Sequence, residues 1–209
     1  MDNLEYLQQI SQSNRPSAPA KQSRIPIALI GKILLGIIVV IALIAGISVL
    51  ANNSSNKSED LTQQFYLRVN NINQVATNYT RQLKSSQLRS INVSLTGALT
   101  NTSNQLSGYA ATHNEDGKKD PLAPKEEVLA AEAAAINGLN TTLTNAKLNG
   151  ILDRIYANQI HLQVSLLLSM ASELSNRTDD ADLLQILAQF TSSLSVIEQS
   201  LDNYSNPSV

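Results

Sequence analysis

The 209-residue chain contains no cysteine, and that one absence removes several possibilities. There can be no disulfide framework, no thiolate metal site and no lipid attached through a cysteine. Many extracellular animal domains of this size carry disulfides, so a cysteine-free chain inclines the reading towards a bacterial envelope protein. Recognisable reaction chemistry is also scarce. The two histidines, His113 and His161, fall in neither an HExxH nor a Glu-x-x-His pattern, which leaves a zinc or di-iron site without ligands. There is no GxSxG elbow, and no GxxxxGK[ST] or GxGxxG loop to cradle phosphate. Aromatic residues make up 4% of the chain, and no arginine-rich stretch interleaves with them, so no nucleic-acid partner is expected. No cofactor and no catalytic activity are expected either.

What the sequence does hold is one long apolar run. Ile33 to Ala51 is 19 residues without a charge, 13 of them Ile, Leu or Val. As a helix it would reach about 28 Å, close to the roughly 30 Å of a bilayer's hydrocarbon core. Arg15, Lys21, Arg24 and Lys32 precede the run, whereas only Lys57 closely follows it. The basic excess belongs on the cytoplasmic side, which sends the C-terminal part outward. Arg24 and Lys32 are the candidate membrane-interface residues, Lys32 snorkelling to the headgroups at the edge of the span. The run exceeds the 7–15-residue core of a cleavable signal, so a retained anchor is expected. Secretion after cleavage behind Ala51 is the alternative. Ala42 and Gly46 form a small-xxx-small pair that chance explains as well as helix dimerisation does.

These features divide the chain into a disordered cytoplasmic tail at 1–24, an anchor at 25–51 with its core at about 32–51, and a linker at 52–58. An extracytoplasmic helical bundle at 59–204 and a frayed end at 205–209 complete the layout. The segment 52–209 carries 11 Lys and Arg against 15 Asp and Glu and is long enough to bury roughly 70% of its unfolded surface in one core. Its nine Asn-x-Ser/Thr triplets, Asn78, Asn92, Asn140 and Asn176 among them, follow from a composition rich in Asn, Ser and Thr and are not read as glycan sites.

Helical periodicity fills the bundle segment. Leu61, Phe65, Val69, Ile72, Ala76, Tyr79 and Leu83 recur at three or four residues, behind Ser58 as an expected N-cap. A second stripe runs Leu88, Ile91, Leu95, Leu99, Leu106 and Tyr109, with Thr102 in phase. It is out of register with the first, so a break near Lys84 to Gln87 is predicted, with a serine capping the next helix. His113 to Pro124 reads as a loop, and Pro124 is expected to open a helix carrying Leu129, Ile136, Leu139, Leu143 and Ala146. Asn149-Gly150 then offers a C-cap or a kink. The next helix has one stripe at Ile160, Val164, Leu167, Ala171 and Leu174, and a second at Leu162, Leu166 and Met170. The last has Leu183, Leu187, Phe190, Leu194, Ile197 and Leu201 at alternating fours and threes, with Thr178 as the expected cap and Asp179 and Asp180 complementing the dipole. The fold class is therefore all-α: one N-terminal transmembrane helix followed by an antiparallel bundle of four or five helices.

Few side chains in this layout suggest a site. Glu132 interrupts an apolar stripe and Glu173 adjoins Leu174, a pair that could support acid–base chemistry only if one were desolvated. A solvated or Arg-paired carboxylate is the ordinary reading of both. Asn114, Asp116 and Asp120 suggest calcium but miss the EF-hand pattern, because Gly117 comes early and the closing Glu is absent. The expected function is a membrane-anchored interaction or scaffold module of the cell envelope that binds a protein partner or itself. A ligand-binding sensor ectodomain working with a partner transducer is the alternative, and an envelope hydrolase ranks last.

Overall fold

The computed structural model describes residues 57–113 and 122–206. The proposed tail, the anchor with Arg24 and Lys32, the Asn114–Asp120 cluster and the last three residues lie outside them. Among the described residues there are five α-helices and no strand: α1 (Lys57–Tyr79), α2 (Ser86–Thr112), α3 (Glu126–Leu148), α4 (Leu152–Ser175) and α5 (Ala181–Ser205). No helix among them is long and apolar enough to cross a membrane.

The ends of the helices follow from local chemistry. A 3-10 turn, Thr80–Gln82, ends α1. Ser85 then caps α2, its hydroxyl accepting the Leu88 N–H at 3.2 Å, so the predicted break and serine cap are both present. At the α3–α4 junction, Gly150 takes a φ of 71°, a left-handed conformation that any side chain would disfavour. Gly150 N–H donates to Lys147 O at 3.1 Å and Ile151 N–H to Ala146 O at 3.0 Å, the paired bonds of a Schellman cap. Three expected helix starts shift. α1 already contains Lys57 and Ser58, so Ser58 is not its cap. Pro124 lies one residue ahead of the α3 N-cap, Lys125. Asp180, not Thr178, caps α5: its carboxylate accepts the Leu183 N–H at 2.9 Å. Thr178 braces the turn instead, accepting the Asp180 N–H at 3.2 Å.

Four helices form a ring in the order α1, α2, α5, α4, and α3 packs against α1 and α4 from outside it. Every residue of the predicted α1 and α5 stripes is buried, as is the main stripe of α4. Across the ring, Phe65 of α1 meets Phe190 of α5 edge-to-face with ring centroids 5.0 Å apart, a favoured aromatic geometry. The second α4 stripe of Leu162, Leu166 and Met170 is only half-buried, because one face of α4 already fills the core. α3 departs furthest from expectation. Leu129 is exposed, and Glu132 is the buried residue of its first half.

Successive helices run antiparallel, which defines two poles. At one, where α1, α3 and α5 begin, Lys125 pairs with Asp60 at 2.6 Å, and His113 at the end of α2 lies 3.3 Å from Asp180. At the other, the Asp153 carboxylate accepts the Lys84 N–H at 3.0 Å and the Ser85 N–H at 2.7 Å, fastening the start of α4 to the α1–α2 connection. We call these the proximal and distal poles.

Candidate functional site

The strongest buried polar cluster lies between α1, α3 and α4. Arg68 donates to Glu132 Oε1 through Nε at 3.0 Å and through Nη2 at 2.6 Å, and through Nη1 to Gln163 Oε1 at 3.0 Å. Asn71 approaches the second carboxylate oxygen at 3.5 Å. All three principal residues are at most 5% exposed. Glu132 is thus the Arg-paired carboxylate of the ordinary reading. Its two oxygens are both engaged, so the cluster locks α3 onto the ring. Glu173, by contrast, is exposed and pairs with Arg177 one turn along the same helix at 2.5 Å. The structure does not bring these two carboxyls together in a shared site.

A second buried network crosses the ring near its distal end. Asn92 donates to Ala76 O at 2.8 Å and to Thr80 Oγ1 at 2.7 Å, and its oxygen accepts from the Tyr156 hydroxyl. Burial, with Tyr79 nearby, pushes the Tyr156 phenol well above its ordinary range, so it remains a neutral donor here. Asn92 is 1% exposed, which withholds its triplet from modification in the folded chain. The histidines occupy surface positions. His113 stacks on Tyr109 with centroids 4.2 Å apart, and His161 lies 3.9 Å from Glu198 between α4 and α5. Among the described residues, no three His, Cys, Asp or Glu side chains gather as a metal site. Met170 packs against the core.

An open cleft of about 720 Å³ lies at the distal pole. Its walls come from the 3-10 turn and the connection after it, the α3–α4 junction and the end of α5. Arg81 projects from the 3-10 turn, Lys84 from the connection, Lys147 from the last turn of α3 and Arg154 from the first turn of α4. Ile151, Leu152 and Tyr204 add apolar lining. Asp153 is the single carboxylate among the lining residues, and backbone amides already engage it.

Charge is therefore segregated in a chain whose overall balance is slightly negative. Glu59, Asp60, Glu126, Glu127, Asp180 and Asp182 gather at the proximal pole, in or beside the first turns of three helices. Helix dipoles explain that acidic end, and they explain Lys147 at a C-terminus. They do not explain Arg154 in the first turn of α4, or Lys84 just ahead of α2, where a cation opposes the dipole. None of these cations was singled out by sequence pattern, because they come from separate segments; their only advance signal was location near suspected helix junctions.

Comparison with protein-family models, with curated proteins and with solved structures gave no match.

Proposed function

We propose that this chain is a single-pass, membrane-anchored binding module of the cell envelope, with residues 25–51 as the anchor, its core at about 32–51, and the helical bundle held outside. The observation that carries the binding role is the distal cleft. It gathers four cations where helix stability asks for fewer, beside apolar and aromatic surface on which a ligand or partner can rest. The anchoring role rests on the apolar run and the basic residues before it, Arg24 and Lys32 at the interface. The chain enters α1 at the proximal pole, and 23 helical residues, about 34 Å, separate that entry from the cleft.

A second reading, a sensor ectodomain that reports ligand occupancy to a partner transducer, is favoured by the concave form of the cleft and by its assembly from all the helix junctions at one pole. Both readings share the same topology, and one experiment tests it. In intact cells the full-length chain should resist alkaline extraction from membranes, and external protease should remove the bundle while leaving an N-terminal fragment. A mature chain that begins at Asn52 and washes free of membranes, or a bundle that external protease cannot reach, overturns the proposal.

A further inference from the structure

We infer that the distal cleft binds an organic phosphate: a dianionic phosphate ester carried on an aromatic or short aliphatic body. This deepens the binding-module reading above by naming what the module takes.

The charge of the lining decides for a dianion. Four cationic side chains face one carboxylate, and that carboxylate is already committed to the Lys84 and Ser85 amides. A single carboxylate ligand would leave most of the mutual repulsion among these cations standing. A phosphate ester carries roughly −1.5 to −2 at neutral pH and three strong acceptor oxygens. The lining supplies the two donor types such a group uses: Arg81 and Arg154 offer planar forks that match phosphate oxygens in pairs, and Lys84 and Lys147 offer mobile point charges.

The remaining lining explains why inorganic phosphate alone would be a poor fit. Tyr204 and Leu152 turn apolar surface to the same cleft, and the volume of about 720 Å³ is in the range of sites for whole small molecules. A ring or acyl body placed there would cover surface that a bare ion leaves wet. Arg154 is the most informative residue. It stands in the first turn of α4, where a cation weakens the helix, and among the described residues no ion pair accounts for its position.

Calorimetric titration of the full-length chain in a neutral detergent tests this independently of how residues 25–51 are accommodated. The probes are phenyl phosphate, inorganic phosphate, benzoate and water-soluble dihexanoyl phosphatidic acid. Phenyl phosphate should bind saturably, at least tenfold more tightly than inorganic phosphate or benzoate. Binding by the short-chain lipid alone would assign the phosphate ester to a lipid headgroup, and binding by phenyl phosphate to a soluble ligand; either result supports the phosphate assignment. Arg154→Ala and Lys147→Glu, both at exposed positions outside the core, should each weaken binding about tenfold or more, whereas Lys125→Ala at the proximal pole should leave it unchanged. Tyr204→Leu should reduce the preference for phenyl phosphate over inorganic phosphate. Saturable binding by none of the phosphate esters, or binding that Arg154→Ala and Lys147→Glu leave intact, overturns the inference while leaving the topology of the chain untouched.

Discussion

Glu132 sits 3% exposed on α3, with Arg68 of α1 donating two hydrogen bonds to one of its oxygens. Removing one member of such a pair strands the other charge in a low-dielectric site, at a cost of about 3–5 kcal/mol. Glu132→Ala should therefore lower the thermal midpoint of the full chain by roughly 6–20 °C for a domain of this size, read by far-ultraviolet circular dichroism. The double change Arg68→Met with Glu132→Leu should recover most of that loss, since well-packed apolar replacements of buried pairs are often near neutral. A double variant as unstable as the single one would show that the cluster contributes more than charge compensation. Asp180 gives the acid-side counterpart. The Leu183 N–H holds its carboxyl below the ordinary range, with help from the His113 charge and the Tyr109 hydroxyl and against some desolvation. A carboxyl depressed in the folded state stabilises above its unfolded value, near pH ~4, and that stabilisation is lost as pH falls through the folded value. Asp180→Ala should thus cost about 1 kcal/mol at neutral pH through the lost cap. The gap between variant and parent should narrow in unfolding measurements taken progressively below pH ~4; a gap independent of pH would assign the effect to something other than the carboxylate.

Individual helices were legible in the sequence to the degree that their burial is one-sided. The α5 stripe alternates fours and threes, and all six of its predicted residues are buried. α1 is equally clear, because each sits in the ring with one face inward. α3 was misread where it lies outside the ring. Its first half buries Glu132 and exposes Leu129 at 44%, and what makes Glu132 acceptable inside is an arginine 64 residues away. Periodicity on a single helix cannot register such a partner. Turn chemistry was more transparent, as Asn149-Gly150 shows. Gly150→Ala should cost about 1–2 kcal/mol, because it forces a Cβ into the left-handed region, although no neighbouring atom lies within 4 Å to clash. Gly108, an exposed glycine inside α2 with the same open surroundings, should respond with the opposite sign. Gly108→Ala ought to stabilise by about 0.5–1 kcal/mol through helix propensity and a less flexible unfolded chain. Parallel thermal melts of the two variants separate the cases; equal shifts in one direction would contradict the conformational assignment at Gly150.

At the scale of the whole molecule, the ring and its fifth helix are unequal partners. α1, α2, α5 and α4 each contact two ring neighbours, whereas α3 packs chiefly on α1 and α4 among the described residues and buries four residues, one of them charged. Regions with few buried apolar contacts open at lower free energy than the global unfolding transition. α3 should therefore open first, beginning with its Glu126–Ile136 half, where Glu132 is the fully buried residue. The distal half is held better, because Leu139, Leu143 and Ala146 are buried and the Schellman cap ties it to α4. The distal cleft draws on that better-held half through Lys147, so the cleft should persist while the proximal half of α3 frays. Hydrogen-exchange mass spectrometry checks this order directly. Peptides from 126–136 should exchange fastest among the helices, those from 139–148 more slowly, and core peptides around Phe65 and Phe190 slowest. In Glu132→Ala the acceleration should concentrate in α3, leaving the Phe65–Phe190 contact protected. Uniform acceleration across all five helices would mean instead that α3 and the ring fold as one cooperative unit, and that Arg68 anchors the ring as much as its outer helix.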